Sequence, residues 1–72
     1  MKNGERGLTM PVVTVEMYEG RSDEQKQELV EDITDAMVEH VDATPETLHV
    51  IIHDVPKENW GRDGLLGIHR ED

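Results

Sequence analysis

The chain has 72 residues, no cysteine and a formal charge of −10, from 17 acidic against 7 basic residues. That length allows one domain with a thin core, and the missing cysteines exclude disulfides and thiolate metal sites, which leaves self-association as the default stabiliser. The acidic balance argues against a nucleic-acid partner, and the sequence contains neither the ~20 consecutive apolar residues of a membrane span nor the apolar run of a leader, so a cytoplasmic location is expected.

Residues 1–10 are polar, carry two glycines and show no periodicity. They are expected to be an extension, either a disordered tail or a mis-assigned start, ahead of a domain over residues 11–72. From Pro11 the pattern changes. Val12-Val13-Thr14-Val15-Glu16-Met17-Tyr18 is β-branched and alternating. It predicts a strand with Val13, Val15 and Met17 on one face and Val12, Thr14, Glu16 and Tyr18 on the other. Proline at the first strand position costs no ladder bond that matters.

Glu19-Gly20-Arg21 ends the strand, and Ser22 with Gln25 has the spacing of a capping box; Asp23 and Glu24 suit the positive first turn. A helix is predicted over Asp23 to Val41. Leu29, Val30, Ile33, Ala36, Met37 and Val41 form its apolar stripe, and its many acidic residues form a solvated outer face. Asp42-Ala43-Thr44-Pro45 stops it. Leu48 to His53 predicts a second strand, with His49, Ile51 and His53 on the face opposite Leu48, Val50 and Ile52.

Strand, helix and strand in this order make a βαβ unit of the α/β (α+β) class with two parallel strands. Lys57-Glu58-Asn59-Trp60-Gly61-Arg62-Asp63-Gly64 is turn-rich and suits a short C-terminal hairpin. One helix covers only one sheet face, so the other face and the open edges are expected to be covered by further copies sharing the sheet.

Three side chains invite a chemical reading. Arg21, just before the helix, can present its planar fork to a carboxylate. Trp60 lies in a turn outside any periodic stripe, where an indole serves as an anchor at an oligomer interface. Met10-Pro11 is a good context for removal of an initiator methionine. A start at Met10 would leave Pro11 as a free secondary amine, of a class that titrates near 7.7–8.0 when unperturbed, and apolar burial or a nearby guanidinium would lower that value. Inside a chain the same nitrogen is an amide and no base. His40, His49, His53 and His69 form no recognisable ligand pair with an acidic third member, so no metal is expected.

From Pro11 to about Gly67 the sequence resembles the 4-oxalocrotonate tautomerase family. The features that carry the likeness are Pro11-Val12-Val13-Thr14-Val15, the block Glu19-Gly20-Arg21-Ser22-Asp23-Glu24-Gln25-Lys26, the helix length, Val50-Ile51-Ile52 and the aromatic before Gly61. The resemblance implies a dimer with a four-stranded sheet, a hexamer built from such dimers, and a cofactor-independent keto-enol isomerase. It implies Pro11 as general base, Arg21 as the ligand of the substrate carboxylate and Trp60 in place of a walling phenylalanine. Where the family carries a second substrate-binding arginine this chain has His49, which cannot form the same fork; Arg62 is an alternative source of that charge.

The substrate expected is therefore a small unsaturated 2-hydroxy or 2-oxo acid. Hydration or dehalogenation of an unsaturated acid on the same scaffold, or a non-catalytic oligomeric module that binds a small acid, are the alternatives. The charge balance and the scarcity of lysine (Lys2, Lys26 and Lys57) further suggest a halophilic source, in which salt screens self-repulsion.

Overall fold

The computed structural model describes residues 11–70. The expected extension, residues 1–10, lies outside the described residues. The chain order is β1 (Val12–Tyr18), α1 (Asp23–Val41), β2 (His49–Val55), a 3₁₀ turn (Lys57–Asn59), β3 (Gly61–Arg62), β4 (Leu65–Leu66) and a second 3₁₀ turn (Gly67–His69). β1 and β2 pair in parallel from Val12↔His49 to Tyr18↔Val55, which is the expected βαβ unit, and β3 and β4 form the antiparallel C-terminal hairpin.

The helix occupies the predicted residues, with both reciprocal bonds of the capping box in place. Ser22 Oγ accepts from the Gln25 backbone N–H at 3.1 Å, and Gln25 Oε1 accepts from the Ser22 N–H at 2.9 Å. These bonds satisfy two of the donors that a helix start leaves without an intrahelical partner. At the other end Asp42 adopts the left-handed conformation (φ 60°), and the Ala43 N–H returns to the Met37 carbonyl at 3.2 Å. Short polar side chains tolerate that region, so the helix stops before Pro45 is reached.

Two details differ from the sequence pattern. β2 begins at His49 instead of Leu48 and runs on to Val55, because Met17 and Tyr18 of β1 offer partners to Asp54 and Val55. The Glu19 N–H extends the ladder by donating to the Val55 carbonyl at 3.0 Å, and only Pro56 stops the strand. On the helix Leu29, Val30, Ile33 and Met37 are half-buried as expected, but Ala36 and Val41 are exposed, and Lys26 and Thr34 share the sheet-facing side instead. A 19-residue helix is about 28 Å long at 1.5 Å per residue, whereas a seven-residue strand spans about 20 Å, so the last turn overhangs the sheet.

The two strands alternate cleanly. Val13, Val15 and Met17, with Val50 and Ile52, are half-buried, while Val12, Thr14 and Glu16, with His49, Ile51 and His53, form an exposed outer face. Val12 and Ile51 retain 55% and 44% of their accessible surface. No described hydrophobic side chain is fully buried within one subunit. A two-stranded sheet under one helix gains too little from burial to stand alone, and among the described residues nothing pairs with either of its edges.

Candidate active site

The parallel register divides the residues singled out in the sequence between the two ends of the sheet. Pro11 precedes β1 and is half-buried. Its carbonyl accepts the His49 N–H at 3.0 Å, so these two residues meet at the N-terminal end of the strands. Arg21 follows the far end of β1, and Trp60 and Arg62 follow the far end of β2. With β1 spanning about 20 Å, one subunit does not bring Pro11 beside Arg21 or Trp60. A constellation that contains all of them has to draw them from neighbouring copies.

At the far end Arg21 opens onto a cleft of about 220 Å³ whose lining also includes Met17, Gln25, Lys26 and Leu29. Met17 reaches it as the last inward-facing residue of β1, and Gln25, Lys26 and Leu29 reach it from the first two turns of α1. Lys26 Nζ is bonded to Asp54 Oδ2 at 2.6 Å, which ties the helix start to the end of β2. That hydrogen bond, aided by the charges of Asp54 and Asp23 and opposed by partial desolvation, raises the Lys26 pKa above its ordinary value. Lys26 is thus held as a structural cation.

Trp60 packs edge-on against Tyr18, with ring centroids 5.0 Å apart and planes at 67°. By strand alternation Tyr18 continues the outer row of Val12, Thr14 and Glu16, yet it is half-buried where they are exposed. The segment after β2 therefore folds back over this end of the outer face. Gly67 anchors it by donating its N–H to the Trp60 carbonyl at 2.7 Å. Arg62 lies on β3, and its carbonyl accepts from Arg70 Nη1 at 3.4 Å. In a chain of net charge −10, the described cations Arg21, Lys26, Lys57, Arg62 and Arg70 all belong to this end of the sheet or the segment that covers it.

On the outer face His53 Nδ1 lies 2.7 Å from Glu16 Oε2, a cross-strand pair in register. The described residues include no group of three or more His, Asp or Glu placed to hold a metal ion, and no described helix is long and apolar enough to cross a membrane. By strand alternation alone Tyr18 is one more outer-face residue. The signal that could have raised it is the aromatic inventory, which consists of Tyr18 and Trp60 alone.

Comparison with known proteins gives this arrangement a context. The family model described as "Tautomerase enzyme" matches residues 11–67. The chain is 52% identical over 56 residues to a 2-hydroxymuconate tautomerase of Comamonas testosteroni, covering 78% of this chain and 89% of that one. Among solved structures it is similar to a 4-oxalocrotonate tautomerase isozyme from Methylibium petroleiphilum (TM-score 0.76, 45% identity, 83% of this chain and 100% of that one). It is also similar to a heterohexameric 4-oxalocrotonate tautomerase from Chloroflexus aurantiacus (TM-score 0.78, 31% identity, 86% of this chain and 100% of that one).

Proposed function

The chain belongs to the tautomerase enzyme family and is an isomerase of the 4-oxalocrotonate tautomerase type; from that premise we propose that it interconverts the enol and keto forms of a small unsaturated 2-hydroxy or 2-oxo acid, with the Pro11 amine as general base. The observation that carries the assignment of the base is the span of the family match, which opens on Pro11. On this reading residues 1–10 stand outside the working domain: a mature chain that begins at Pro11 carries a secondary amine there, whereas a chain that keeps residues 1–10 carries an amide.

The chemistry needs only proton transfer. The neutral amine takes the proton of the enol hydroxyl, and the oxygen electron pair becomes the carbonyl as the double bonds shift along the chain. The resulting ammonium returns a proton to the distal carbon, so no atom or electron is gained or lost. For this the amine must be largely neutral near pH 7. An apolar wall at Trp60 and the positive charge of Arg21 both disfavour the ammonium. Arg21 binds the substrate carboxylate through its fork and draws negative charge toward that end of the molecule.

His49 stands where a second arginine would clamp another carboxylate, and it offers one donor where the fork offers two. The substrate class this supports is an acid recognised chiefly through one carboxylate, with Arg62 as a secondary source of charge. Family membership sets aside the non-catalytic binding module, and nothing in the site singles out a group to activate water for hydration or dehalogenation.

The working unit is a homo-oligomer. Two observations support it: the opposite-end positions of Pro11 and Arg21 within a subunit, and the exposure of Val12 and Ile51 on the outer face. A dimer sharing a four-stranded sheet, assembled further to a hexamer, would cover that face and bring Arg21 and Trp60 of one copy toward Pro11 of another.

The test compares chains that begin at Met1 and at Pro11, with the first residue verified by intact mass, in the ketonisation of phenylenolpyruvate and of 2-hydroxymuconate. The chain that begins at Pro11 is expected to turn over at least one of them, and the chain that keeps Met1 neither. Pro11→Ala, which leaves a primary amine in a different position, is expected to lose activity by about 10²-fold or more. Equal turnover by the two chains, or by Pro11→Ala and the parent, would overturn the assignment of the base.

A further inference from the structure

The chain's whole aromatic inventory, Tyr18 and Trp60, meets in a single contact. The two residues belong to different parts of the fold, the last residue of β1 and the turn after β2. They are nevertheless brought edge-on at 5.0 Å and 67°, within the range that aromatic pairs prefer.

The surroundings are built around this pair. The backbone of Trp60 is held on both sides, its N–H donating to the Lys57 carbonyl at 3.3 Å and its carbonyl accepting from Gly67 at 2.7 Å. With the main chain held, the orientation of the indole is decided by what its ring touches, and its aromatic contact is Tyr18. The phenol is itself confined. Lys57 Nζ lies 5.3 Å from the centre of the Tyr18 ring, a cation–π distance. The phenol oxygen lies where Gly67 leaves room: a Cβ at Gly67 would come within 2.8 Å of it and within 3.1 Å of both Cβ and the carbonyl oxygen of Lys57. Gly67 is buried, while the indole stays half-exposed. Within one subunit Trp60 is thus covered only in part after Tyr18 has taken its share of the contact.

We propose that Tyr18 is the positioning residue for Trp60, and that the indole so held selects acids with a flat aryl or conjugated tail over acids with a short saturated tail. The inference rests on the reading of Trp60 as a wall of the active site. The chemical reason is geometric. A flat tail gains from an indole face only if that face is fixed at the stacking angle, whereas a short alkyl tail touches a fixed and a swinging indole almost equally well. Tyr18 performs no proton transfer in this scheme. It acts through Trp60 alone.

Trp60 is the chain's one tryptophan, so its emission reports on the positioning directly. Calorimetric titration of the oligomer with phenylpyruvate and with 2-oxobutanoate gives the selectivity, and time-resolved anisotropy of Trp60 gives the mobility of the indole. The parent protein is expected to bind phenylpyruvate about tenfold or more tightly than 2-oxobutanoate, and its Trp60 to show no fast independent rotation. Tyr18→Leu should reduce the ratio to about twofold and release a fast rotation, while Tyr18→Phe, which keeps the ring, should stay within about twofold of the parent on both measures.

Equal weakening of both ligands in Tyr18→Leu would make Tyr18 merely structural and overturn the proposal, as would an unchanged ratio. Should Tyr18→Leu not assemble, the unmodified protein still decides: a freely rotating Trp60, or no preference for phenylpyruvate, defeats the idea. Failure of Pro11 as the base would appear in turnover only and would leave the anisotropy and the binding ratio untouched, so the two failures are separable.

Discussion

Gly67 is the position where one added methyl group should do most harm. It is buried, and a Cβ there would come within 2.8 Å of the Tyr18 hydroxyl and 3.1 Å of the Lys57 backbone. Lys57 cannot retreat easily, since its carbonyl accepts the Trp60 N–H. Gly67→Ala is expected to cost about 1–3 kcal/mol, the usual penalty for overpacking, measured by urea unfolding, and to shift the emission of Trp60. At His49 the opposite kind of change is informative. With a second fork available, His49→Arg should lower KM for a dicarboxylate about tenfold or more and leave a mono-acid within about twofold. A parallel fall for both substrates would mean that the residue adds general positive charge and does not recognise a second carboxylate.

At the scale of elements, the helix start is both the most local feature and the best defended. Its capping box is made entirely within residues 22–25, so its loss should be a clean local effect. Ser22→Ala is expected to destabilise by about 1 kcal/mol in the same urea assay. Lys26 then fixes that helix start to the sheet through Asp54. Because this pairing raises the Lys26 pKa above the ordinary 10.5, the folded state holds the proton more tightly than the unfolded chain. The contribution is therefore complete below pH 10.5 and is lost as pH rises through the folded value. Alkaline melts should show the parent losing its advantage over Lys26→Met in that range. An advantage that survives at higher pH would point to packing of the lysine stem in place of charge. The hairpin is decided as locally as the cap. Asp63 and Gly64 both take positive φ, 55° and 81°, the geometry of the tight turn that an Asp-Gly pair favours.

For the whole molecule the deciding facts are an excess of acid and a shortage of core. No described hydrophobic side chain is fully buried in one subunit, and Val12, Val41, Leu65 and Ile68 are among the apolar groups left in the open. Assembly has to supply the missing burial, while a formal charge of −10 on each copy opposes it. Screening should tip that balance. The oligomer is expected to dissociate as salt is lowered from about 1 M to 0.01 M, where the screening length grows from about 3 to 30 Å. Sedimentation velocity across that range, with turnover measured in parallel, is the check. Constant mass at all salt concentrations would remove the case for salt adaptation.

The sequence by itself determined the elements and singled out residues whose type and setting suit chemistry. Alternation over Val12–Tyr18, the Ser22/Gln25 cap and the Asp63-Gly64 turn are decided by neighbours a few residues apart, so they can be read from the chain order, and Pro11, Arg21 and Trp60 stand out by residue type and setting. The tertiary structure alone decided which of them meet. β2 ran on to Val55 because Met17 and Tyr18 supplied partners, and Val41 was exposed because the helix is longer than the strands it covers. Tyr18 found Trp60 because the segment after β2 folds back over the outer face, and Pro11 was kept from Arg21 by the length of β1. Contacts between residues distant along the chain depend on register and on relative element lengths, and no local pattern encodes either.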